Sequence, residues 1–155
     1  LGLIDVMPRF FGVQSEGSSA IANAFEKRTE EIQAVHATTL ADSISVDYPR
    51  DGLRALRAAT QTGGAFIKVN DRDILDALAT LGKAGIFSEP AGAAAYAGVV
   101  NALSNGLITE KDAVVCLVTG NGLKDIRAAM QAIPPAPVIE PNMTALKKII
   151  HSVKK

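Results

Sequence analysis

One stretch constrains this chain more than any other: an unbroken apolar run over residues 113–118, then Thr119-Gly120-Asn121-Gly122, then apolar positions at helical spacing. Such a run bounded by a small-residue turn reads as a fully buried strand feeding a helix. In open parallel α/β sheets the carboxyl ends of strands face a crevice where ligands sit, and glycines let the backbone approach closely. Thr119 is the one hydroxyl at that mouth. The turn matches neither GxGxxG nor GxxxxGK[ST], so it does not indicate a nucleotide. Taken alone, it also has the look of an ordinary strand-to-helix turn.

The rest of the chain alternates strands with helices. A short strand is predicted at Phe10-Phe11-Gly12-Val13, followed by a polar turn with capping residues. The next helix turns Ile21, Ala24 and Phe25 inward and Glu26, Lys27, Arg28, Glu30 and Glu31 outward. Residues 33–42 show no periodicity. Residues 43–48 read as a strand stopped by Pro49, and residues 50–62 as an amphipathic helix with Leu53, Leu56 and Ala59 inside. After a strand at 66–69, Asn70 or Asp71 caps a helix whose inner face is Ile74, Leu75, Leu78 and Leu81. A short strand near Ile86 then enters a helix at Pro90, a residue suited to the first turn. Small residues from Ala93 to Gly98 predict that this helix is buried and closely approached. Beyond the central turn, Leu123, Ile126, Ala129 and Met130 form another inner face, and prolines at 134, 135 and 137 break that helix. Asn142 caps a last helix with Leu146, Ile149, Ile150 and Val153 on one side, and Lys147, Lys148, Lys154 and Lys155 lie toward its end. This rhythm predicts βαβ units and an α/β fold: three layers, α/β/α, with a mainly parallel sheet and residues 113–118 central in it.

A chain of 155 residues, 48% hydrophobic and 21% charged, suits one domain with a real core. Sixteen basic residues offset sixteen acidic ones, so charge gives no reason to expect nucleic acid or an anionic membrane as partner. Cys116 is the single cysteine and lies in the apolar run, which excludes an intrachain disulfide and assigns it to packing. A cytoplasmic location is expected. The apolar region at 90–103 is too short to span a bilayer, and His36 and His151 are too isolated to suggest a metal. The chain begins Leu1-Gly2-Leu3-Ile4 without methionine, from which a piece of a longer protein is expected.

With its flanks included, the central turn carries more information. Val118-Thr119-Gly120-Asn121-Gly122-Leu123-Lys124-Asp125 resembles the TGxGLKD segment of threonine synthases, pyridoxal-phosphate enzymes of the tryptophan-synthase-β fold type. Gly85-Ile86-Phe87-Ser88-Glu89-Pro90-Ala91-Gly92-Ala93-Ala94-Ala95 resembles their GIF-x-EPASAA segment, and Pro8-Arg9 through Gly17 their LPR-x-x-GxQ-x-x-G. Residues 43–49 are similar to a further segment that lies alongside the cofactor ring, but Asp47-Tyr48 stand where many relatives have Gly-Asn.

The resemblance implies that residues 1–155 are the carboxyl-terminal part of a catalytic domain. The complete enzyme would convert O-phospho-L-homoserine and water to L-threonine and phosphate, using pyridoxal 5'-phosphate bound to a lysine. That lysine belongs to an upstream SFKDR-like stretch absent here; Lys27, in Ala24-Phe25-Glu26-Lys27-Arg28, has the wrong neighbours and sits on a charged helix face. The chain alone is therefore expected to be inactive. By the same resemblance Thr119 would meet the pyridine nitrogen of the cofactor, with Gly120 and Asn121 beside it and Glu89 facing the same crevice; Gln14 and Ser15 are weaker candidates. A neutral hydroxyl there suits an unprotonated nitrogen, whereas a carboxylate would keep it protonated and make the ring a stronger electron sink. The expected partners are a small-molecule substrate, the missing amino-terminal part and, in the complete enzyme, a second copy in a homodimer. Two other readings stay open: a related pyridoxal-phosphate amino-acid lyase or dehydratase, and a stand-alone α/β module that binds a small anion.

Overall fold

The structure, a computed structural model, describes residues 2–153. Leu1, Lys154 and Lys155 lie outside the described residues, and with them part of the expected cationic end of the last helix.

Two parallel strands, β1 (Phe11–Ser15) and β2 (Ala65–Val69), pair in register from Phe11 opposite Ala65 to Ser15 opposite Val69. The crossover between them carries α1 (Ala20–Glu26) and α2 (Gly52–Gln61). Side chains on a strand alternate between faces. Ile67 and Val69 accordingly enter one core cluster with residues of α3 (Asp71–Lys83) and α4 (Pro90–Ser104), whereas Phe66 packs in a second cluster with Ile21, Ala24 and Leu56 of α1 and α2. Helices thus cover both faces, and the α/β/α layering is present around a sheet of two strands among the described residues.

Each helix shows why its sequence takes that shape. Asn70 and Asp73 form a reciprocal capping box at the start of α3, Asn70 Oδ1 accepting from the Asp73 amide at 2.9 Å and Asp73 Oδ2 from the Asn70 amide at 3.3 Å. Ile74, Leu78 and Leu81 are buried on its inner face, and Leu75 is half-buried. Helix α4 carries alanine and glycine where it meets the sheet: a Cβ on Gly98 would lie 2.2 Å from Val13 Cγ2, so the helix rides directly on β1. Leu56 and Ala59 of α2 are buried as expected, but Leu53 is 38% exposed.

Where α2 turns into β2, Gly64 leaves no room for a side chain, because an added Cβ would stand 1.8 Å from the backbone oxygen of Phe10. A carbonyl cannot rotate away as a side-chain tip can, so Gly64→Ala should destabilise the chain by about 3 kcal/mol through displacement of β1. Urea unfolding checks this; a midpoint matching the parent's would disprove the tight approach.

Three expectations fail in instructive ways. Residues 113–118 form no strand: Val115 is 88% and Leu117 71% exposed, while Cys116 and Val118 are half-buried. That alternation is the one a strand shows, and Val118 rests on the first core cluster, yet no neighbouring strand supplies a ladder among the described residues. Residues 43–48 form no strand either. A 3-10 turn spans Asp42–Ile44, and Ser18 ties the segment down by donating through Oγ to the carbonyls of Ile44 and Val46 and accepting from the Val46 amide. Finally, the helix after the central turn, α5 (Ile126–Ala132), buries Ala128 and half-buries Ala129 and Ala132, leaving Leu123, Ile126 and Met130 exposed. Small residues allow α5 to approach α3 closely, and the large apolar side chains point away. The last helix, α6 (Met143–Val153), is capped by Asn142 as expected, its Oδ1 accepting from the Ala145 amide at 2.9 Å.

Candidate functional site

The turn at Thr119 and the Glu-Pro step before α4 lie about thirty residues apart in sequence and form one junction in space. Ser88 and Asn121 make an isolated antiparallel bridge; the Glu89 amide donates to the Gly120 carbonyl and the Gly122 amide to the Phe87 carbonyl, both at 3.0 Å. The predicted strand near Ile86 is reduced to this one bridge.

Both turn glycines sit tightly against side chains of the facing segment. A Cβ at Gly120 would fall 1.7 Å from Glu89 Oε1, and one at Gly122 would fall 2.4 Å from Cε2 of the Phe87 ring. The space beside each is filled by a side chain of the facing segment. Gly92, in the first turn of α4, completes the fit: its absent side chain leaves room for Ser88 Oγ and for the amides of Thr119 and Gly120. Asn121 acts as a turn residue, its Oδ1 accepting from the Leu123 amide at 2.9 Å before the 3-10 turn Gly122–Lys124. Asp125 then caps α5 through the Ala128 amide.

Glu89 is 6% exposed, and the Lys124 ammonium stands 3.2 Å from its Oε1. Lys124 was not among the sequence candidates, since a lysine in a turn reads as solvated, and its side chain is indeed 62% exposed; what marks it is its ammonium on the buried Glu89. Together with Asp42, Ser43 and Asp125, these two residues line a cavity of about 240 Å³. Thr119 does not line it. It is exposed, one residue before the packed Gly120, and its hydroxyl makes no hydrogen bond among the described residues. Cys116 is half-buried below this turn, and burial pushes its thiol above the ordinary range, which favours a packing role over a reactive one.

The remaining candidates lie elsewhere. Gln14 Oε1 accepts from the Ile21 and Ala22 amides at 3.0 and 2.8 Å, so its side chain caps α1. Ser15 is 1% exposed and accepts from the Gly17 amide. Asp47 holds the preceding loop: its Oδ1 accepts from the Ala37 amide at 2.7 Å. In each of the three, one side-chain oxygen serves as a structural tie to a backbone amide. Lys27 lies exposed at the end of α1.

Among the described residues, no group of histidine, cysteine and carboxylate side chains is placed to hold a metal, and no helix is long and apolar enough to cross a membrane.

Comparison with known proteins adds the context. Threonine synthase of Methanocaldococcus jannaschii is 38% identical over 154 residues, 98% of this chain and 38% of that protein. The threonine synthase of Mycobacterium tuberculosis is 37% identical over 142 residues, again covering 38% of the relative. The chain therefore spans about two fifths of the length of the curated relatives it matches. Among solved structures, Escherichia coli threonine synthase superposes with a TM-score of 0.64 at 15% identity, over 95% of this chain and 38% of that one; maize serine racemase superposes with a TM-score of 0.58 at 15% identity, over 94% and 39%. At such identities these two likenesses speak to the fold, and they agree on α/β. The family model described as "pyridoxal-phosphate dependent enzyme" matches residues 2–120, from before β1 to the glycine packed on Glu89, and the chain belongs to that family.

Proposed function

We propose that residues 1–155 are the carboxyl-terminal part of a threonine synthase, and that the complete enzyme releases phosphate from O-phospho-L-homoserine and adds water to give L-threonine. The observation that carries this reading is the junction itself: the two motifs that resemble threonine synthases, far apart in sequence, interlock through Glu89, Gly120 and Gly122.

What the chain offers suits pyridoxal phosphate. Thr119 presents an exposed neutral hydroxyl with no hydrogen bond among the described residues, able to donate to a ring nitrogen, and Gly120 beside it lets the Glu89 side chain pack against the turn. When bound, the group supplies an electron sink for chemistry at the amino-acid carbons. Thr119 would hold the ring nitrogen, Asn121 would fix the turn that aims Thr119, and Glu89 would buttress the backbone at Gly120. The carrier lysine and the remaining ligands to substrate and cofactor phosphates are assigned to an amino-terminal part. A homodimer and a cytoplasmic location belong to the same proposal, by the resemblance alone.

The test joins this chain to the amino-terminal portion of the Methanocaldococcus jannaschii relative, in place of that protein's matching region. The chimera should bind pyridoxal phosphate and release phosphate from phosphohomoserine. This chain by itself should do neither, and borohydride reduction in the presence of the cofactor should fix none of it on a single lysine. Stoichiometric trapping on one lysine of the isolated chain, or a folded chimera inert toward phosphohomoserine, would overturn the assignment.

A further inference from the structure

We propose that Glu89 and Lys124 are a positioning pair: the Lys124 ammonium neutralises a buried carboxylate packed on Gly120, which fixes the Thr119 turn and keeps negative charge away from the group that Thr119 meets.

Three observations meet here. The Glu89 side chain is 8% exposed, its carboxyl carbon and oxygen fill the space beside the Gly120 Cα, and its only ion-pair partner among the described residues is Lys124. A carboxylate withdrawn from water without a counter-charge is costly, and the attraction to a nearby ammonium offsets that cost. The ammonium comes from the same turn that Glu89 supports, so the turn closes on its own counter-ion. Moreover, Asp42, Glu89 and Asp125 place three carboxylates around the adjoining cavity, and of its lining residues Lys124 alone is cationic. Without Lys124 that cavity, which adjoins the turn but is not lined by Thr119, would carry carboxylates alone as its charged groups. An anionic surrounding stabilises a protonated neighbour, which is the condition a neutral threonine is suited to avoid.

The charge-shielding role rests on the proposed cofactor contact of Thr119; the closure of the turn does not. Two measurements separate them. In this chain without cofactor, Lys124→Met should speed amide hydrogen exchange at Glu89 and Gly122, the two amides that close the junction, by about tenfold, since local opening becomes easier once the buried carboxylate loses its partner. Lys124→Arg should restore the parent rate, and the pair Glu89→Gln with Lys124→Met should exchange more slowly than Lys124→Met alone. In the chimera, Lys124→Met should shift the absorption spectrum of bound pyridoxal phosphate toward that of a protonated ring, with Lys124→Arg restoring it. Unchanged exchange in Lys124→Met overturns the pair as a device that holds the turn. Altered exchange with an unaltered spectrum overturns the shielding. A chimera that binds no pyridoxal phosphate overturns the functional reading and the shielding with it, while the exchange result still decides the closure.

Discussion

Ile74→Ala should destabilise this chain by about 2–5 kcal/mol, placing it among the most damaging single substitutions available. Ile74 is fully buried in the first turn of α3, inside the cluster that joins β2, α3 and α4. Truncation removes the burial energy of the lost methyl and methylene groups and leaves a cavity that the alanines of α4 are too small to fill. The damage should also reach the candidate junction at Thr119, because α4 begins at the Glu-Pro step that carries Glu89. Leu53→Ala is the control. Its side chain is 38% exposed, so the cost should stay within about 1 kcal/mol. Denaturant unfolding of both variants checks the ranking, and equal losses would mean that the core does not lie between α3 and the sheet.

The second large effect concerns Thr119 in the chimera. If Thr119 donates to the ring nitrogen as proposed, Thr119→Val keeps the shape and removes that one hydrogen bond, so it should weaken cofactor binding or slow turnover by about 1–3 kcal/mol. Thr119→Asp differs in kind. An aspartate at that position would raise the proton affinity of the ring nitrogen, strengthen the electron sink and divert product from threonine toward transamination. Cofactor titration, phosphate release and product analysis on both variants check this. If both behave like the parent, Thr119 does not touch the cofactor.

Much of the fold was legible because its rules are local. The capping at Asn70, the inner face Ile74, Leu78 and Leu81, and the small-residue face of α4 follow from residue type and helical spacing alone. The misreadings arose where a segment's fate depends on what stands beside it. Residues 113–118 have the composition of a central strand, but a strand exists only with a neighbour, and among the described residues no ladder reaches them. Residues 43–48 alternate like a strand, yet Ser18 captures their backbone groups from another segment. At the site, the TGNG and Glu-Pro motifs were both visible, while their interlock and the part of Lys124 were not: a buried carboxylate announces itself only when its surroundings are seen. Gln14 shows the converse. Its position at a strand end suggested a ligand, and its amide oxygen proves to be committed to two helix amides.

The parallel pairing of Phe11 with Ala65 also bears on how the chain assembles. Bringing those two residues together closes a loop of more than fifty, whereas α3 and α4 are joined by a short turn and meet at little entropic cost. Distant contacts of this kind slow folding relative to local ones. The α3–α4 hairpin is thus the natural seed, and β1, threaded between Gly98 on one side and Phe66 on the other, is the last piece to seat.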